Sequence, residues 1–149
     1  RSQIRQPSQN INKLVDRIQQ TDREPKSVGI DLAGSENNLT GLSELDGNEA
    51  ILSTARTDEE IIEMVFESDP ELISIDSPLT LPEGRCCVDP DCECAEHGII
   101  RECEKMLKER GVNAYPCLID SMRNLTARGR HLSDLFKEHG YEIPVTVEG

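Results

Sequence analysis

Tryptophan is absent from this chain, and Phe66, Phe136, Tyr115 and Tyr141 are its only aromatic residues. A core built with so few rings has to be aliphatic, assembled from Ile, Leu and Val. No apolar run approaches the roughly 20 residues that a membrane-spanning helix needs, and no secretory h-region is present, so the chain reads as soluble and cytoplasmic. Positive charge is missing from a long stretch: between Asp31 and Glu83 the only basic residue is Arg56. The formal net charge is −13 at pH 7. A general nucleic-acid coat is thereby excluded, because neutralising phosphates takes a basic face. An enzyme that meets phosphates through bound metal is not excluded. There is no internal repeat and no low-complexity tract.

The 149 residues suit one domain with a single core. The segment 1–26 is polar and rich in Gln and Asn, but Ile11, Leu14, Val15 and Ile18 recur at helical spacing. It reads as an N-terminal helical arm and linker, with the regular domain over 27–149. Arg1 in place of Met points to an upstream piece, and the stop at Gly149 to a C-terminal truncation. A sheet cut short there would be completed by a second copy, so a homo-oligomer is the expected assembly.

Val28–Ala33 reads as a buried strand, Leu39–Leu45 as a second, and Glu49–Ala55 as a third joined to it by an Asp46-Gly47 hairpin turn. Thr57 and Glu60 form a capping box ahead of the apolar positions Ile61, Ile62, Met64, Val65 and Phe66, and that helix stops at Asp69-Pro70. Leu72–Asp76 is a fourth strand. A Cys- and Asp-rich loop runs from Pro82 to Glu96. A helix over Gly98–Arg110 follows, then a fifth strand over Val112–Cys117. A helix from Ser121, its expected cap, to His139 and a last strand over Tyr141–Val147 complete the chain. The fold class is α/β: a mixed sheet in β-β-β-α-β order with flanking helices.

The first and fourth strands each end in an aspartate followed by small residues: Gly29-Ile30-Asp31-Leu32-Ala33-Gly34-Ser35 and Ile73-Ser74-Ile75-Asp76-Ser77-Pro78. On neighbouring parallel strands Asp31 and Asp76 converge. Two adjacent carboxylates repel unless they share a cation, and a hard divalent ion such as Mg²⁺ or Mn²⁺ answers that need. The bland reading is that each aspartate only caps a turn. Further on, Arg101, Lys105, Lys108, Arg110, Arg123, Arg128 and Arg130 make a basic segment suited to an anionic substrate, or else a solvated helix face. Arginine forks take phosphate oxygens bidentately, which makes Arg123 and Arg128 candidates for substrate contact. Their structural alternative is salt-bridging to the acidic first half.

Cys86, Cys87, Cys92, Cys94, His97 and Cys103 fall within eighteen residues. Four thiolates or imidazoles saturate a tetrahedral Zn²⁺. The Asp89-Pro90-Asp91 turn can fold Cys87 back toward Cys92 and Cys94, with His97 or Cys103 closing the shell. Free thiols on a loop, and redox use of Cys86-Cys87, are the competing readings. Cys117 reads as a lone buried thiol; His131 and His139 read as solvent-facing or as partners of a helix end.

These motifs, together with Gly84-Arg85-Cys86-Cys87, His97-Gly98 and Met122-Arg123-Asn124-Leu125-Thr126-Ala127-Arg128-Gly129, resemble the DUF429 family over roughly Val28 to Ile143. That family is described as predicted nucleases of ribonuclease-H-like fold. The resemblance implies a metal-dependent phosphodiester hydrolase acting on nucleic acid or another phosphate ester, with Asp31 and Asp76 as metal-binding acids. The family pattern also carries a Glu before a Pro-Gly. Here Val145 stands at that position, and the nearest acids, Glu142 and Glu148, are out of register. A non-catalytic domain that binds a partner through its Cys-rich loop and helices is the alternative. A third reading takes the small residues up to Ser35 as a phosphate-binding loop like that of sugar-kinase and actin-like ATPases, in which backbone N–H groups approach the anion.

Overall fold

The computed structural model describes residues 25–143; most of the expected arm, and the end of the expected last strand, lie outside them. The described residues form a mixed α/β unit with a four-stranded sheet and three helices. In chain order the elements are β1 (Ser27–Asp31), β2 (Thr40–Asp46), β3 (Glu49–Ala55), α1 (Asp58–Ser68), β4 (Leu72–Ile75), α2 (Glu102–Glu109) and α3 (Asp120–Glu138), with one turn of 3₁₀-helix over Glu93–His97. The sheet order is β3-β2-β1-β4. The first three strands meander antiparallel, and β4 returns parallel to β1 through α1. No helix among the described residues is long and apolar enough to cross a membrane.

Alternation along the strands decides which face is covered. Val28 and Ile30 of β1, Leu42 of β2, and Ile73 and Ile75 of β4 are buried in one cluster with Ile61 and Val65 of α1 and Leu132 and Phe136 of α3. The intervening residues point to the other side of the sheet. Around the ends of β1 and β4 they are small: Gly29 of β1, Gly41 and Ser43 of β2, and Ser74 of β4.

The local signals behave as physical chemistry predicts. Thr57 caps α1, its side chain accepting from the Glu60 amide while Glu60 returns the bond. The helix ends at Asp69, whose left-handed backbone (φ 47°) sends the chain into Pro70. Gly47 takes the positive φ that the β2–β3 hairpin turn requires.

Several expected elements differ. The helix expected from Gly98 begins only at Glu102. Val112–Cys117 is irregular rather than a strand. Val112 and Tyr115 are exposed, and Pro116 has no amide to offer a ladder. The segment is anchored at its end, where the Leu118 amide and the Cys117 thiol both bond to the Ile99 carbonyl. In α3, Ser121 is not the cap: the helix starts at Asp120 with Ile119 in the cap position and no side-chain capping bond. At the other end of the described residues, Tyr141–Ile143 is not strand, although the Ile73 amide donates to the Glu142 carbonyl along the outer edge of β4.

Candidate functional sites

The parallel pairing aligns Ile30 with Ile75, and the Asp76 amide donates to the Ile30 carbonyl at 2.8 Å. Asp31 and Asp76 are therefore the next step of the same register. They stand side by side at the carboxyl ends of two adjacent strands, roughly 5 Å apart by strand spacing, with both side chains alternating to the face that the helices leave open. Both are exposed and line one groove of ≈ 480 Å³. Gly41 lies opposite Asp31 on β2, and a methyl added there would sit 3.6 Å from the Asp31 Cβ. Glycine and serine thus keep the floor low around the two carboxylates. Among the lining residues, these are the only ionisable groups. Open sheets bind ligands at such places, outside the carboxyl ends of strands where the chain changes direction.

The turn after β1 is held from two directions. The buried Thr40 hydroxyl accepts from the Ala33 amide, and the Arg128 guanidinium donates to the Ala33 carbonyl at 2.8 Å. Arg128 is a tie rather than a free phosphate receptor. Its other nitrogens donate to the Arg56 carbonyl at 2.8 Å and to Asp58 Oδ1 at 2.7 Å, and its side chain is 7% exposed. One residue of α3 thereby pins the end of β1, the end of β3 and the start of α1. Arg123 pairs with Asp120 at 2.8 Å on the first turn of α3, and its buried Nε has no hydrogen-bond partner. Ser35 is half-buried in the turn, where its carbonyl accepts from the Asn38 amide. Neither arginine nor Ser35 lines the groove that holds Asp31 and Asp76.

Gly129 explains why a glycine interrupts a 19-residue helix. A methyl there would fall 2.6 Å from the Ser77 Cβ and closer still to its Oγ. Ser77 is buried directly after Asp76 and donates toward the Leu125 carbonyl. The close approach of α3 to the end of β4 supports the chain beneath the second carboxylate.

The cysteine loop forms a second cluster. Cys86, Cys87, Cys92 and Cys94 bring their sulfurs within 4.8 Å of one another, close enough to hold a metal ion such as Zn²⁺. Cys86 takes the place expected for His97. The His97 ring packs instead on the backbone of Gly84, whose added Cβ would lie 2.5 Å from Nδ1. Cys103 is exposed on α2, outside the group. Backbone amides shape the sulfur chemistry. Those of Cys86 and, more weakly, Cys87 hydrogen-bond the Cys94 sulfur and hold it down at about 6. The Asp89 amide works in the same sense on Cys87, but hydrogen bonding to the Cys92 sulfur, burial and hydrogen bonding to the Cys94 sulfur leave that thiol raised. Hydrogen bonding to Cys94, then to Cys92 and Cys87, pushes Cys86 up to about 12.

Comparison with family models, with curated proteins and with solved structures yielded no match.

Proposed function

We propose that the protein is a metal-dependent phosphodiester hydrolase of ribonuclease-H-like architecture, resembling the DUF429 family, with Asp31 and Asp76 holding Mg²⁺ or Mn²⁺. One observation carries the reading: two carboxylates occupy the same register step of adjacent parallel strands and open onto one groove. The order β3-β2-β1-β4, with β4 parallel to β1, is in keeping with that architecture. The donor set suits a hard ion. Mg²⁺ commonly takes one or two carboxylates and fills its remaining positions with water and substrate phosphate, and two exposed carboxylates in an open groove leave room for both. Such an ion would supply a water of lowered pKa and stabilise charge on a phosphoryl oxygen. The chain's own contribution is positional. Thr40 and Arg128 fix the turn behind Asp31, and Ser77 on Gly129 fixes the chain behind Asp76.

The phosphate-loop alternative is weakened by the Ala33 amide, which is already spent on Thr40. A second reading, a non-catalytic domain that docks a partner through its cysteine loop and helices, is favoured by the lack of any basic side chain among the residues lining the groove. The test is hydrolysis of single-stranded, duplex and branched DNA and RNA by the full chain in Mg²⁺ or Mn²⁺. Cleavage is expected for the native protein and should be abolished in both Asp31→Asn and Asp76→Asn. Cleavage that persists in both variants, or none with any of these substrates, sinks the hydrolase and leaves the docking domain.

A further inference from the structure

From Glu83 to Ile100 no side chain is buried. A loop of this length without a fully buried apolar side chain has little hydrophobic burial to offset the entropy of ordering it. It is nonetheless tightly folded. Asp91 donates its amide to Asp89 Oδ1 at 2.8 Å, and the Ala95 amide reaches the Cys92 carbonyl at 2.9 Å. The Arg85 guanidinium bonds the carbonyls of Cys87 and Asp89 at 3.1 and 3.2 Å. What converges at the centre is sulfur. Cys86 and Cys92 sulfurs are 3.7 Å apart, and so are those of Cys87 and Cys94.

We propose that Cys86, Cys87, Cys92 and Cys94 bind one Zn²⁺ ion as a closed tetrathiolate centre that serves this loop in place of a hydrophobic core. Zn–S bonds of ≈ 2.3 Å in a tetrahedron put sulfurs about 3.8 Å apart, and the two close pairs already stand at 3.7 Å. A disulfide would need ≈ 2.05 Å, so the pairs are spaced for an ion between them. Four protein ligands leave no position for water or substrate, so the centre is structural rather than catalytic. Soft thiolates select Zn²⁺ over Mg²⁺, which keeps this ion chemically separate from one held by Asp31 and Asp76. The inference does not depend on the hydrolase reading.

The decisive measurement is metal content and Co²⁺ substitution in the reduced full-length chain. One zinc per chain is expected after purification or Zn²⁺ reconstitution. Co²⁺ added to the metal-free chain should give the intense visible bands and sulfur-to-metal charge transfer of a tetrahedral tetrathiolate, and that reading needs no variant. Cys86→Ser should weaken zinc retention and alter the cobalt spectrum, while His97→Ala and Cys103→Ser leave both unchanged. A reduced, folded chain that takes up neither metal would overturn the centre. So would zinc lost in His97→Ala but kept in Cys86→Ser, or a metal-free chain that isolates with Cys86–Cys92 and Cys87–Cys94 disulfides.

Discussion

Single side chains do much of the positioning near the groove, and their roles make quantitative predictions. Replacing Arg128 with Met keeps the packing of its stem but leaves the carbonyls of Ala33 and Arg56 without a donor and Asp58 without its cation. Removing one partner from a buried charged network typically costs 3–5 kcal/mol. Asp58 is 30% exposed and can be rehydrated, so the expected loss is near the low end, about 3 kcal/mol, read as a lowered urea midpoint at unchanged slope. Were Arg128 held for substrate, its loss would leave that midpoint in place. Gly129→Ala gains helix propensity of up to about 1 kcal/mol, yet it forces a methyl onto Ser77. Overpacking of this kind costs about 1–3 kcal/mol, so net destabilisation is expected. In a double-mutant cycle with Ser77→Gly the two changes should be strongly non-additive; additivity would place the clash elsewhere. Cys117 gives a pH signature. Burial, reinforced by Glu104 and opposed by Arg101, pushes its thiol up to about 11 from 9.0. The folded chain then keeps a proton that the unfolded chain releases, so this thiol's contribution is complete below pH 9 and is lost as pH rises through 11. Denaturation curves of the native protein and Cys117→Ala should therefore converge between those pH values.

At the scale of elements, the sheet has one edge that invites pairing. In β3 the side chains of Ile51 and Leu52 are 59% and 79% exposed, and among the described residues no strand lies beyond it. Exposed apolar edges template association. Leu52→Lys should reduce concentration-dependent self-association in sedimentation while leaving the thermal midpoint nearly unchanged, since little apolar area is lost. An unaltered sedimentation profile would show the edge to be inert. The sequence announces these elements where the signal is local. The alternation of Val28 and Ile30, the Thr57–Glu60 box and the Asp46-Gly47 turn each act within a few residues. Signals fail where the deciding partner is distant. The three partners of Arg128 are 70, 72 and 95 residues away, so its basic charge read equally well as a phosphate contact. Val112–Cys117 has strand-like composition, but a strand exists only where another accepts it. In the cysteine loop, spacing indicated a cluster but did not choose the fourth member. Gly84, having no side chain, leaves room for the His97 ring against its backbone, while Cys86 faces the other sulfurs. Asp31 and Asp76 were legible because parallel pairing of two similar strand ends converts a sequence recurrence into adjacency.

Across the whole molecule, charge separates a specific ion site from general screening. A net charge of −13 opposes compaction through self-repulsion, so any salt should raise the melting temperature, with most of the effect reached near the ionic strength at which the screening length falls to about 10 Å. The two groove carboxylates add a local repulsion of about 1 kcal/mol at roughly 5 Å in a water-like medium. Neutralising one removes it, and Asp31→Asn is therefore expected to be more stable than the native chain when only monovalent salt is present. Functional sites characteristically store such a cost. Mg²⁺ at matched ionic strength should reverse the order. An ion at ten times its dissociation constant stabilises the native state by about 1.4 kcal/mol, or roughly 3–6 °C for a chain of this size, and Asp31→Asn and Asp76→Asn should not share that gain. Thermal melts in NaCl and in MgCl₂ of equal ionic strength make the comparison, with zinc held constant throughout. If all three proteins shift equally with Mg²⁺, the ion acts on the overall negative field and the paired carboxylates hold nothing. If the native chain alone crosses from less to more stable, the repulsion and its relief belong to one site, the groove at the ends of β1 and β4.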